Sequence, residues 1–331
     1  MKALIFEKNG LENLQVRDLE TPSAGPDDVL VKVKMAGVNP IDFHAVEGIP
    51  NVKPMPHIPG AEFAGIVDEV GSHVSTLKKG DKVTIYSRVF DSLCDMCISN
   101  NEMLCRNGGI MGVVSNGGYA GYVAIPEKNA FKIPDDLSWE MAASLPVAAL
   151  TPYHALKMAE LTINENLVVF GASGNTGMFA VQLGKKFGAN VIAVSSKTWV
   201  KDLGADYVAS HEDAIEKIRE ATSGRMADVV LNSLGSETWT QSLEALGLNS
   251  RLVFFGTLTG GNVSLALNRL YGKQARIVGA TGGTRKELKE LIAISKSLKL
   301  RVWKKFKLED GLDALKMLFS KERDGRIMIE L

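Results

Sequence analysis

Apolar and polar residues alternate along 29–35, where Lys32 and Lys34 interrupt a run of Val, Leu and Met. That two-residue period predicts a half-buried strand. Similar short runs over 65–71 and 81–86 are separated by turn residues such as Lys79, Gly80 and Asp81, and another follows over 117–124. The first seven residues read as one more strand. Short strands punctuated by Gly, Pro and Asp predict a small barrel over the first 125 or so residues. From about Ser138 the period changes. Residues 139–156 are helical in pattern, with Pro146 and Pro152 as interruptions. Strands are then expected at 167–170, 190–194, 206–208, 228–231 and 251–255, with helices between them at 176–187, 197–203, 211–222 and 238–245. This βα alternation predicts a doubly wound parallel sheet. The tail returns to mixed elements: strands at 276–279, 301–307 and 325–331, and helices at 286–297 and 312–319.

Composition narrows the setting. The chain has 331 residues, 45% of them hydrophobic, enough for two domains with their own cores. Thirty-eight basic residues balance 38 acidic ones, and no basic stripe stands out, which argues against a nucleic-acid partner. No run of 18 apolar residues occurs and the N-terminus lacks a signal-peptide pattern, so no membrane span and a cytoplasmic location are expected.

Candidate chemistry first appears at the cysteines. All three lie close together, and Asp91 completes a series Asp91-x2-Cys94-x2-Cys97-x7-Cys105. Three thiolates and one carboxylate suit tetrahedral Zn²⁺, and a closed four-ligand set is structural rather than catalytic. The odd count and the C-x2-C spacing argue against disulfides. Reduced, unliganded thiols are the bland alternative. Asp91 is the weakest of the four, because aspartate also serves loop turns; Glu102 or a water are alternatives as fourth ligand.

The strand over 167–170 runs into Gly171-Ala172-Ser173-Gly174-Asn175-Thr176-Gly177 and then an apolar helix. Strand, glycine turn and helix in a βαβ unit predict a dinucleotide site. Gly174 lets the backbone approach a pyrophosphate, Gly177 allows close helix–strand packing, and the helix N-terminus attracts phosphate charge. The next strand ends in Ser195, Ser196 and Lys197, where an NAD-preferring site would carry Asp or Glu. Two hydroxyls and a cation supply donors to a 2′-phosphate, so NADPH is expected. A solvated surface lysine is the alternative reading of Lys197.

With these residues in place the chain resembles the medium-chain dehydrogenase/reductases, the superfamily of zinc alcohol dehydrogenases and quinone reductases. The resemblance runs over essentially the whole chain. It is carried by Ala36-Gly-Val-Asn39-Pro-Ile-Asp42, Pro59-Gly-Ala61-Glu62-Phe-Ala-Gly65, Lys79-Gly-Asp-Lys-Val83, the cysteine lobe, the glycine loop and Gly204-Ala-Asp206. It implies an α/β fold: a GroES-like β-barrel catalytic domain from 1–135 and 269–331, with a zinc lobe at about 88–110, plus a Rossmann domain at 136–268. It also implies cofactor contacts from Thr151, Asn232, Gly256 and Gly279, besides Gly171, Ser173, Asn175 and Thr176 in the loop.

The departures matter most. A catalytic Zn²⁺ in alcohol dehydrogenases is held by Cys, His and Cys, which match Asn39, Ala61 and a position near Val147; none of these can ligate zinc in that way. Hydride removal from an alcohol needs that Lewis acid, whereas addition to a quinone or an α,β-unsaturated carbonyl does not. The zinc-less branch carries Asn-Pro-x-Asp, as here, but nearly all of its quinone reductases lack the cysteine lobe. The resemblance gives Asn39 the role of orienting the acceptor carbonyl or the nicotinamide ribose. Asp42 would hold that arrangement, and His44 would protonate product or contact ribose. His44 lacks a relay partner, since Ile41 stands where Ser or Thr would. The leading expectation is an NADPH-dependent reductase with one structural Zn²⁺, acting on a small electrophile. The alternatives are a metal-free alcohol dehydrogenase and an NADPH-binding scaffold with little turnover. A homodimer or homotetramer is expected through 260–267.

Overall fold

The computed structural model describes residues 1–331 and divides into two compact units, Met1–Val147 with Thr284–Leu331, and Ala148–Gly283. The junctions thus fall at 147/148 and 283/284, where the sequence reading placed them at 135/136 and 268/269.

The first unit contains β1 (Lys2–Ile5), β2 (Gln15–Asp18), β3 (Asp28–Gly37), β4 (Phe63–Val70), β5 (Lys82–Ile85), β6 (Arg88–Val89), β7 (Gly109–Ile110), β8 (Tyr122–Pro126) and β9 (Ala130–Lys132). The second contributes β10 (Asn166–Phe170), β11 (Asn190–Val194), β12 (Tyr207–Ala209), β13 (Ala227–Asn232), β14 (Leu246–Phe254) and β15 (Arg276–Gly279). The chain then returns to the first unit with β16 (Val302–Lys307) and β17 (Arg326–Glu330).

In the first unit a seven-stranded sheet runs β16-β17-β3-β4-β5-β9, and β8 also pairs with β3. Two bulges in the β3–β4 ladder, between Leu30 and Val31 and between Val33 and Met35, bend β3, which serves two partners. This is the GroES-like fold. Phe6, Val31, Phe63, Ile85, Tyr119, Ile125 and Ile327 share its core. The run expected as a strand from 117 pairs as a strand only from Tyr122, because Gly117 and Gly118 pack under Pro59 and Gly60, whose carbonyl oxygens accept from the Tyr119 and Gly118 amides. A short helix, Pro40–Val46, was not expected from the pattern; proline at its first position supplies a fixed φ and no surplus donor.

In the second unit six strands form one parallel sheet in the order β12-β11-β10-β13-β14-β15. This is the doubly wound dinucleotide-binding order, with β10 as the first strand. Every residue of β10 is buried, as a central parallel strand covered on both faces requires. Val168, Phe170, Ile192, Val230 and Leu252 pack with Trp239 in one core.

Candidate functional site

The dinucleotide loop follows β10 directly. Gly171 adopts φ +72°, the left-handed region that glycine enters without penalty. A Cβ on Gly177 would overlap the Gly171 carbonyl oxygen, so the helix Gly177–Lys186 starts hard against the turn. The start of a helix favours an anion through its first amides and its dipole. The loop, the helix and the strand order together fit a nicotinamide dinucleotide.

At the end of β11, Ser195 is buried, and its hydroxyl accepts from the Lys197 amide at 3.0 Å. That hydroxyl shapes the turn, while Ser196 is exposed and Lys197 half-buried. Asn232 departs from its expected role. Its side chain is fully buried, accepts from the Leu234 and Gly235 amides at 2.9 Å each, and donates to Ser242 Oγ at 3.0 Å. Its side chain therefore builds the turn after β13 and has no group left for a cofactor. A side chain on Gly256 would overlap the Ser233 carbonyl, and Gly279 ends the edge strand β15. Thr151 lies in the first turn of helix Leu150–Met158, and Asn175 is buried within the loop.

The cysteine lobe is built on the ribbon β6–β7. Ligand atoms of Asp91, Cys94, Cys97 and Cys105 all lie within 4.8 Å of one another, the one such group of metal-binding side chains in the chain. Cys94 Sγ is 3.6 Å from Cys97 Sγ and 3.9 Å from Cys105 Sγ. With Zn–S bonds near 2.3 Å, a tetrahedron has S···S edges of roughly 3.8 Å, so the sulfurs fit a zinc ion. The Leu93 and Cys94 amides donate to Asp91 Oδ1, and Asn107 donates to Oδ2 at 2.7 Å. These donors, the Leu93 amide foremost, hold the Asp91 carboxyl well below the usual range, as an anionic ligand needs. The Cys97 thiol is pushed up to about 12, first by burial and then by hydrogen bonds with Cys105 and Cys94. A cation reverses that cost by favouring the thiolates. Glu102, the alternative fourth ligand, does not belong to this group of ligand atoms; its Oε1 accepts from the Arg285 amide at 2.7 Å.

Asn39 and Asp42 meet at the start of the helix Pro40–Val46. Asp42 is buried; its Oδ2 accepts from the Asn39 amide at 2.8 Å and its Oδ1 from the Ala61 amide at 2.7 Å. The Tyr119 hydroxyl, 3.0 Å from Oδ2, is a third donor. Burial, only partly offset by the three donors, of which the Asn39 amide pulls most strongly, leaves the Asp42 carboxyl raised to about 7. His44 sits in the last turn of the same helix, its ring edge-on to Phe43 at 5.8 Å.

Ala61, Glu62 and Val147 surround the place where the resemblance puts a second metal. Glu62 is fully buried. Its Oε1 accepts from Arg326 Nη2, and its Oε2 from the Val147 amide at 3.1 Å. Both oxygens of the one carboxylate left there are therefore engaged, and the amide, methyl and isopropyl around it supply no thiolate or imidazole. The residues do not fit a catalytic zinc. Gly37 is required beneath the ion pair, since a Cβ there would overlap both Arg326 Nη2 and Glu62 Oε1.

Tyr119 and Arg326 were missed by sequence reasoning. A buried tyrosine hydroxyl leaves no local pattern, and Arg326 lies 264 positions from its partner. A cavity of about 470 Å³ lies elsewhere in the first unit, against Leu19, Ile58, Phe90, Tyr122 and Ile125. It contains none of Asn39, Asp42 or His44, so cavity size does not locate this site.

Comparison with known proteins agrees with the folds of the two units. Residues 25–135 match the family described as "Alcohol dehydrogenase GroES-like domain", and residues 176–297 match "Zinc-binding dehydrogenase". The chain is 34% identical over 346 residues to an NAD-dependent alcohol dehydrogenase of Sulfolobus acidocaldarius, covering 100% of both. It is 26% identical over 300 residues to a human quinone oxidoreductase, covering 87% of this chain and 83% of that protein. A thermostable alcohol dehydrogenase of Pyrobaculum aerophilum superposes with a TM-score of 0.92 at 39% identity, covering 100% of this chain and 99% of that one.

Proposed function

The chain belongs to the medium-chain dehydrogenase/reductase superfamily, and on that premise we propose that it reduces quinones or α,β-unsaturated carbonyls with NADPH, without a catalytic metal. One observation carries the reading. Asn39, Ala61 and Val147 stand where zinc ligands would, and Glu62 is tied to Arg326 and the Val147 amide. Oxidising an alcohol requires its hydroxyl to lose a proton, and nothing here replaces the Lewis acid that lowers that pKa. An electron-poor acceptor needs no such activation.

Bound NADPH supplies the hydride. The chain's own groups hold and orient the acceptor and deliver the proton that completes the reduction. Asn39 orients the acceptor oxygen, its backbone fixed by Asp42. His44, on the helix that Asn39 caps, gives the proton to the reduced product as a general acid. Ser196 and Lys197 receive the 2′-phosphate, as their donors and positive charge favour.

The cysteine lobe and the names of the most similar relatives favour a second reading, turnover of alcohols. Purified protein with NADPH or NADH, followed by absorbance against quinones and enones, and in parallel with alcohols plus NADP⁺, separates the two. Faster loss of NADPH than of NADH with an electron-poor acceptor is expected. Turnover of alcohols alone contradicts the proposal. NADPH bound but oxidised by no acceptor leaves a cofactor-binding scaffold.

A further inference from the structure

Asp42 is an unusual carboxylate. It is 1% exposed and no cation touches it; three donors hold it instead. Two are backbone amides, of Asn39 and Ala61, which lie on different segments of the first unit. The third is the Tyr119 hydroxyl, which is fully buried and also lies 3.1 Å from the Gly37 carbonyl oxygen. A hydroxyl has one proton; given to the carboxylate, the stronger acceptor, it joins Tyr119 through Asp42 to both backbones, with the Gly37 carbonyl oxygen beside it as the alternative acceptor.

We propose that Tyr119 is a positioning residue: acting through the Asp42 carboxylate, its hydroxyl keeps the Asn39 and Ala61 backbones in the geometry that an acceptor meets. The inference rests on the reading of Asn39 as the group that orients the acceptor. The ring alone fills the core, a role phenylalanine would serve equally. The hydroxyl does something else, stabilising a buried negative charge that amides alone must otherwise carry. A charge-assisted hydrogen bond is about twice as strong as a neutral one, so its loss weighs on the ionised form far more than on the protonated form.

Few charged groups face Asp42. Glu62 precedes β4 and raises the Asp42 carboxyl slightly, while Arg326 on β17 pairs with Glu62 and offsets its charge. Ionisation of Asp42 therefore depends on its three donors. Once protonated, an oxygen of Asp42 becomes a donor, and one of the amides or the hydroxyl facing it must give way. The frame around Asn39 then loosens.

The test compares the pH dependence of NADPH oxidation in the holoenzyme with that of Tyr119→Phe, using a quinone acceptor that turns over. The wild-type rate is expected to fall as pH drops through about 7, where Asp42 takes up a proton. In Tyr119→Phe this acid limb moves up by about one pH unit, a tenfold change in proton affinity, with KM for NADPH unchanged. An acid limb that does not move overturns the inference. Asn39→Ala is run alongside. If it turns over normally, the reading of Asn39 fails whatever Tyr119 does. If it loses turnover while the Tyr119→Phe limb stays in place, only the positioning role of Tyr119 fails. Should Tyr119→Phe not fold, Asp42→Asn replaces it. That uncharged isostere is expected to lack the acid limb, and a retained limb overturns the inference.

Discussion

The Glu62–Arg326 pair offers a sharp energetic test of the buried frame. Both side chains are wholly excluded from water, and Arg326 is the largest fully buried side chain in the protein. Of its guanidinium donors only Nη2 is satisfied; Nε and Nη1 have no partner. Glu62→Gln keeps the shape, and an amide oxygen can still accept from the Val147 amide, but the countercharge is lost. Removing one member of a buried ion pair costs about 3–5 kcal/mol, because the other charge is left without compensation. A Coulomb estimate at a dielectric near 20 gives about 4 kcal/mol for charges 4 Å apart, in the same range. The surroundings add strain of the same sign: Arg323 is held down to about 10, by burial first and then by Arg326. In a unit of this size, such a loss lowers the thermal midpoint by roughly 6–20 °C. Urea unfolding of zinc-loaded wild type and variant, followed by fluorescence, measures it. The double variant Glu62→Leu with Arg326→Met removes both charges and should recover most of the loss, since replacing a whole buried pair with apolar groups is often neutral. A loss below about 1 kcal/mol in Glu62→Gln, or a double variant as unstable as the single one, refutes the argument.

Three further outcomes follow from the same structure. Lys197→Glu should shift cofactor preference from NADPH toward NADH by roughly 10–100-fold in kcat/KM, the worth of a charged hydrogen bond; an unchanged ratio removes Lys197 from the 2′-phosphate site. Cys97→Ala should bring zinc per chain close to zero and open the lobe to trypsin at the exposed Arg106, with zinc-loaded wild type protected. The open edge of β15, with Val263, Leu265, Leu267 and Tyr271 exposed nearby, supports pairing with a second copy of the chain. Light scattering is expected to give a dimer or tetramer, and a monomer contradicts it.

Local patterns made much of this legible. The glycine loop was readable because Gly171 and Gly177 meet steric demands set by a strand and a helix only a few residues away. The metal cluster was readable because its ligands lie within fifteen residues, and ligand chemistry admits few residue types. The strand expected over 190–194 matches β11, where burial on both faces leaves an unbroken apolar run. The two junctions fell 12 and 15 residues later than the sequence reading placed them, because the helix Trp139–Ser144 packs on β3 and β4 of the first unit and β15 pairs with β14 of the second, partnerships that a local pattern does not encode. Asn232 read as a cofactor ligand because it ends a strand of the parallel sheet; only coordinates reveal that Leu234, Gly235 and Ser242 consume its amide. The Glu62–Arg326 pair and the Tyr119–Asp42 bond were illegible, since both join positions far apart in the chain through groups with no periodic signature.

Zinc content and turnover, measured on the same preparation, test the central claim most directly. The account predicts about one zinc per chain, held by Asp91, Cys94, Cys97 and Cys105, in protein that oxidises NADPH with a quinone or enone. Two zinc ions per chain, with turnover confined to alcohols, would contradict it: a metal would then be bound beside Glu62, where the geometry offers no ligand set.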